Sequence, residues 1–195
     1  MEDFSKIVSD MKLHGMKVQH ERVFLKIPYA REITEQGLAH FIAVEGKKAV
    51  WLEEYDQIVE WLEDNKGLGL LLHGKCGVGK TIMGRYVIPA ILLHKLRKIV
   101  TCFDVGELNN MTDVVLSKKI ISIDDVGTEE ISIKYGEKRL AFAELMDMVE
   151  KQSKLIIITT NLTAEQITAK YGDRIMDRIK ATTKRIAFNG QSFRK

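Results

Sequence analysis

The chain has 195 residues, 45% of them hydrophobic and 29% charged, with a net charge of +3. A chain this long buries about 70% of the surface it exposes when unfolded, so it holds together without a disulfide or structural metal; Cys76 and Cys102 lack C-x-x-C spacing, and His14, His20, His40, His73 and His94 form no ligand pair. The acidic opening Met1 to Lys6 is unlike a secretory leader and no apolar run approaches the ~18 residues of a membrane span, which points to a reduced, soluble, cytoplasmic protein with no membrane partner.

Charge is unevenly spread, with 9 basic against 13 acidic residues up to Lys66 and 21 against 14 beyond it. A basic body suits nucleic acid or another polyanion, and ordinary solvated faces account for it equally well. Phe4, Ile7, Val8 and Met11 recur at helical spacing, so the first dozen residues predict a short amphipathic helix ending near Gly15. A second helix is expected around Arg31 to Val44. Within Leu52 to Asp64, the residues Tyr55, Ile58, Val59 and Leu62 form a helical stripe closed by Asn65-Lys66-Gly67.

From there, β-rich runs at Leu68 to His73, Val100 to Asp104, Ile120 to Asp124, Leu155 to Thr160 and Arg185 to Phe188 alternate with helical patterns, notably Lys80 to Lys98 and Glu137 to Lys151. That alternation predicts an α/β fold, a five-stranded parallel sheet with helices on both faces. Pro89 should bend the first of those helices.

Gly74, Lys75, Cys76, Gly77, Val78, Gly79, Lys80 and Thr81 fit G-x-x-x-x-G-K-[ST] between an apolar strand and a helical pattern. Glycines let such a loop wrap tightly and aim backbone N–H groups at phosphates, and the helix behind it presents its positive end. In this pattern Lys80 holds the β- and γ-phosphates of ATP and the Thr81 hydroxyl ligates Mg²⁺. Ile120 to Asp125 is an apolar strand ending in two carboxylates, the Walker B arrangement: Asp124 holds the metal through its water shell and Asp125 polarises the attacking water. Asp125 is one methylene shorter than the glutamate many such ATPases carry, so hydrolysis should be slow. Asn161, at the tip of the strand Leu155 to Thr160, is the candidate for orienting that water, although Asn also follows strands simply to start turns.

Arg174 and Arg178 are i,i+4 neighbours on a predicted helix. They could reach a γ-phosphate held by an adjacent subunit, or pair within their own helix with Asp173 and Asp177.

Taken in order, Walker A, the double-Asp Walker B followed by Val126-Gly127-Thr128-Glu129, the Thr-Thr-Asn-Leu strand end, Tyr171-Gly-Asp-Arg-x-x-Asp-Arg178 and the closing Gly190-Gln191-Ser192-Phe193-Arg194 resemble the DnaC/IstB family of AAA+ ATPases. The likeness covers about Leu52 to Lys195. It implies an AAA+ P-loop core over 51–195 with a reduced or absent carboxy-terminal lid, and a short helical arm over 1–50 serving as a partner-binding segment. It also implies that Arg178 is the arginine finger with Arg174 its companion, that Arg194 senses nucleotide, and that the protein forms an ATP-dependent homo-oligomer. The implied function is that of a helicase loader, gripping single-stranded DNA and binding a replicative helicase of the DnaB type. The region after the P-loop that holds DNA in that family carries Arg85, Lys95, Arg97 and Lys98 here, with Lys118 and Lys119 further on, and solvated helix faces account for these charges equally well. The alternative is a transposition helper that uses ATP to gate a scaffold on duplex DNA. A small-molecule kinase would need a substrate lid and acceptor-directed arginines, which the chain does not supply after Asn161.

Overall fold

The computed structural model describes residues 3–129, 132–134, 137–139 and 141–190, and of residues 109–112, 132–134 and 137–139 the backbone alone. Its strands are β1 (Gly69–Gly74), β2 (Thr101–Asp104), β3 (Ile120–Val126), the short β4 (Ser132–Lys134) and β5 (Glu137–Arg139), β6 (Leu155–Thr160) and β7 (Thr183–Phe188). Five of them make one sheet in the order β2-β3-β6-β1-β7, with every neighbouring pair parallel. Parallel strands need crossovers, and crossover helices cover both faces of the sheet. The strands therefore read as nearly continuous apolar runs, with alternate residues turned to opposite layers. Leu70 and Leu72 of β1 and Ile157 of β6 face one buried cluster. Leu71, Ile156 and Ile158 face the other.

The helices are α1 (Phe4–Leu13), α2 (Ala30–Val44), α3 (Glu53–Glu63), α4 (Ile88–Leu96), α5 (Leu108–Ser117), α6 (Ala141–Lys151), α7 (Ala164–Tyr171) and α8 (Asp173–Thr182). The first cluster joins β1 and β6 to α2, α3 and α4, and the second joins the sheet to α5, α6, α7 and α8. No described helix is long and apolar enough to cross a membrane.

The expected amino-terminal arm divides in two. No residue of α1 is buried, whereas Val23, Leu25, Ile27, Ala30, Leu38 and Ile42 lie in the same core as β1. Asn65 ties this stretch down. Its Oδ1 accepts from the Leu25 N–H at 2.8 Å, and its Nδ2 donates to the Val23 and Leu68 carbonyls at 2.9 and 3.0 Å. A buried amide with its donors and an acceptor engaged adds specificity rather than a desolvation penalty.

Two sequence expectations are corrected. Glu137 to Arg139 is strand β5, paired antiparallel with β4, so the helix expected from Glu137 begins at Ala141. Cross-strand pairing overrides the helical periodicity of Glu, Lys and Arg. The helix expected from Lys80 is not uniform either: Ile82–Val87 is π-helical and α4 follows with Pro89 in its first turn. Proline has no N–H to offer either the Arg85 carbonyl four residues back or the Gly84 carbonyl five residues back. Both are satisfied from the sheet: Ser122 Oγ donates to Gly84 O at 2.8 Å and Cys102 Sγ to Arg85 O at 3.6 Å. Pro89 thus sits where the π-helical turn behind the phosphate loop gives way to α4.

Candidate functional site

The loops after β1, β3 and β6 meet at the carboxyl edge of the sheet, where open α/β sheets bind ligands. The chain turns out of β1 at Gly74, whose φ is 142°, and Gly77 and Gly79 follow with φ of 81° and 91°. A Cβ on Gly74 would stand 2.1 Å from the Phe188 carbonyl oxygen, so no other residue fits. Lys80 opens the helix that follows. Its side chain folds back under the loop, 5% exposed, and Nζ donates to the Gly74 carbonyl at 2.8 Å, the Lys75 carbonyl at 2.7 Å and Asn161 Oδ1 at 2.9 Å. Each ammonium proton has an acceptor.

Thr81 Oγ1 donates to Asp124 Oδ1 at 3.1 Å. Asp124 is buried while Asp125 is exposed, because the pairing of β3 with β6 shifts register between Ile123 and Val126. Such an irregularity re-aims a side chain at a strand end. Asp125 has φ of +56°, and its carbonyl accepts from the N–H and hydroxyl of Thr128 at 3.2 and 2.9 Å. Glu129 closes the turn: its carboxylate accepts from the Gly127 N–H at 2.8 Å and from the Tyr171 hydroxyl, and pairs with Lys170 at 3.6 Å.

Lys80, Thr81, Asp125 and Asn161 line one cleft with Cys76, Gly77 and Gly79. An apolar recess continues from it, sharing Gly79, Ile82, Glu45 and Lys47 and adding Ile42, Val50 and Tyr55. Tyr55 is 0% exposed, and its hydroxyl has no hydrogen-bond partner among the described residues. Burial, and then the Glu54 charge, push its pKa up to about 12. The sequence carries no motif for this recess, since apart from Gly79 and Ile82 its lining comes from α2, α3 and the segment between them.

The arginines stand apart from this cleft. Arg178 is 12% exposed and reaches across to α6, with Nε 2.8 Å from Glu150 Oε2 and Nη1 2.8 Å from Asp147 Oδ1, the latter an ion pair without hydrogen-bond alignment. Arg174 is 73% exposed and holds Asp147 more loosely, at 3.4 Å. Neither pairs with Asp173 or Asp177 of its own helix; Asp177 pairs with Lys180. Arg194 lies outside the described residues. Of the basic residues matched to DNA contact, Arg85 is paired with Asp104, and Lys119 donates to the Glu21, Gln152 and Ser153 carbonyls, with burial lowering its pKa.

The donor set fits a Mg-nucleotide. Mg²⁺ takes hard oxygens, one or two carboxylates with the rest from water and phosphate, and Thr81 and Asp124 present such a pair. Among the described residues no group of three or more His, Cys, Asp or Glu competes as a metal site.

Sheet order, phosphate loop and acidic strand end together define an AAA+ P-loop NTPase. The family model described as Novel STAND NTPase 3 matches residues 50–189, and the chain belongs to that family. No curated protein sequence matches the chain. Among solved structures it is similar to the crystal structure of the DnaC helicase loader, with 18% identity and a TM-score of 0.57 over 72% of this chain and 93% of that one. It is also similar to the crystal structure of DnaI, with 24% identity and a TM-score of 0.51 over 65% and 73% of the two chains. A DNA replication initiation factor matches at 13% identity and a TM-score of 0.53, over 71% of this chain and 47% of that one. At these identities the likeness is one of fold, and the fold is the DnaC-like AAA+ core that the motifs resemble.

Proposed function

We propose that this protein is an ATP-driven assembly switch of the helicase-loader type, binding Mg-ATP in the cleft and hydrolysing it slowly. The observation that carries the reading is the meeting of three separate strand ends: Lys80, Thr81 and Asn161 line one cleft together with the glycine loop, and Asp124 accepts a hydrogen bond from Thr81. Loop N–H groups and the Lys80 ammonium take the β- and γ-phosphates. Thr81 and Asp124 hold Mg²⁺, which neutralises charge on the phosphate oxygens when bound. The recess takes the base, since mostly apolar walls with a few polar groups are the usual composition of a cofactor pocket.

Asp125, exposed at the cleft, accepts the proton of the attacking water, and Asn161 orients that water. No arginine of α8 lines the cleft, so the positive charge needed on the γ-phosphate comes from a neighbouring copy. Arg174 is better placed to leave its present partner than Arg178, which is held on two carboxylates. Completion across subunits makes the assembly ATP-dependent. The exposed helix α1, with Phe4, Ile7 and Leu13 open to solvent, is the segment available to a DnaB-type replicative helicase, and the basic body is available to single-stranded DNA.

Calorimetric titration of the folded protein with Mg-ATP should give saturable binding; no heat and no fluorescence change would remove the reading at its root. Co-purification of a DnaB-type helicase with the full chain and ATP, lost on deleting α1, supports the loader role. Retention of a transposase and duplex DNA in place of the helicase would point to the transposition helper instead.

A further inference from the structure

Thr159, the second-last residue of β6, is 1% exposed and stands where three motifs meet. Its hydroxyl bonds in two senses, donating to Asp124 Oδ1 and accepting from the Asp125 backbone N–H at 3.0 Å. A threonine hydroxyl has one proton and two lone pairs, so the proton goes to the carboxylate and a lone pair takes the amide. Thr81 converges on the same Oδ1, and among the described residues no hydrogen bond to Asp124 ends on Oδ2. Two hydroxyls thus fix one oxygen of the carboxylate.

Asp125 is the second half of the arrangement. A left-handed φ costs a non-glycine residue about 1–2 kcal/mol and persists only where the surroundings impose it. Here the peptide is gripped at both ends, by Thr159 on its N–H and Thr128 on its carbonyl. The Thr159 rotamer is itself fixed. Its Cγ2 would lie 2.8 Å from a Cβ on Gly84 in the π-helical segment, so the methyl packs where only glycine leaves room. A β-branched side chain with its methyl held this way has little freedom at χ1.

We infer that Thr159 is a positioning residue that locks the Asp124 carboxylate and the Asp125 backbone to the strand carrying Asn161. The metal-holding, water-polarising and water-orienting groups then keep one geometry through a single hydroxyl. This rests on the nucleotide reading of the cleft.

Thr159→Val keeps the shape and removes both bonds, while Thr159→Ser keeps both bonds and removes the methyl. In nucleotide-free protein, hydrogen exchange at the Asp125 amide should quicken about tenfold or more in Thr159→Val. With Mg-ATP, kcat should fall about 10- to 100-fold, with KM changed less and with more Mg²⁺ required for half-maximal ATP binding. Thr159→Ser should restore all three; Thr159→Ala is read in place of valine if valine impairs folding. Wild-type exchange and kcat in the valine protein overturn the inference, as do faster exchange with unchanged kcat and a serine variant as impaired as valine. A wild-type protein that fails to bind Mg-ATP defeats instead the reading on which the inference rests.

Discussion

Lys80 and Asn161 stand 81 positions apart in the chain and share a 2.9 Å hydrogen bond from Nζ to Oδ1. The bond ties the start of the helix behind β1 to the tip of β6, so the cation proposed to hold phosphate and the amide proposed to orient water are set by one contact. Their losses should nevertheless differ. Lys80→Ala removes a charge-assisted contact present in every bound state and should weaken ATP binding on the order of 100-fold. Asn161→Ala should leave binding nearly intact while lowering kcat about 10²- to 10³-fold. Fluorescent-nucleotide titration and phosphate release separate the two; equal losses of affinity would deny Asn161 its role.

Asp125→Asn keeps size and hydrogen-bonding capacity but no longer accepts a proton at neutral pH. ATP affinity should hold, hydrolysis should fall about 10²- to 10⁴-fold, and the ATP-bound assembly should persist. Size-exclusion chromatography with light scattering in Mg-ATP should show a species larger than the monomer that outlasts its wild-type counterpart.

Arg178 and Arg174 share Asp147 but not its environment. Arg178→Ala strips the partner from two carboxylates at a site where the arginine is mostly buried, and should cost about 1–3 kcal/mol of unfolding free energy. Arg174→Ala removes an exposed, loosely held charge and should change stability by less than about 0.5 kcal/mol. If Arg174 completes a neighbour's site, its alanine variant binds ATP normally, and its ATPase is rescued on mixing with Lys80→Ala subunits. Denaturant melts and mixed-subunit assays measure both effects.

That Lys80, Thr81, Asp124 and Asn161 would come together was legible in the sequence, because phosphate chemistry constrains residue type and spacing together. The central strands were legible, since a strand buried on both faces leaves a solid apolar run such as Leu155 to Ile158. What stayed hidden depends on contacts between distant segments. Nothing near Asn65 announces that it holds Leu25, and Tyr55 reads only as part of a helical stripe. Thr159 was visible in its motif, but its two hydrogen bonds, to the Asp124 carboxylate and from the Asp125 N–H, need the register of β3 against β6. Helix α7 carried a signal that could have been used, the Thr163 and Gln166 capping box. Glu137 to Arg139 misled because helix-favouring residues were placed in a hairpin.

His73 ends the apolar stretch of β1 just before Gly74, and its pKa is lowered by burial first and then by the Arg185 and Lys80 charges. Below its unfolded value of about 6.5, the unfolded chain takes up a proton before the folded one, so stability falls with pH until the folded pKa is passed. The melting temperature should therefore drop on going from pH 7.5 to 5.5, and less steeply in His73→Gln. Bound triphosphate adds negative charge near Lys80 and should also shallow the slope. A wild-type slope unchanged by His73→Gln would place the acid sensitivity elsewhere.

The Tyr55 hydroxyl lies beside the recess without a hydrogen-bond partner among the described residues. A buried hydroxyl without a partner costs about 1–3 kcal/mol, so Tyr55→Phe should leave the nucleotide-free protein as stable as wild type or more so. If the hydroxyl bonds a nucleobase edge, the same change should weaken ATP about 5- to 10-fold, the worth of one net hydrogen bond of about 1–1.5 kcal/mol. Inorganic triphosphate carries no base, so its affinity should not move. The pairing of a more stable free protein with a weaker ATP complex separates base recognition from simple packing, because lost packing lowers both. Thermal melts with and without ATP, set beside competition titrations with triphosphate, read the difference; a variant with unaltered ATP affinity would place the base outside the reach of this hydroxyl.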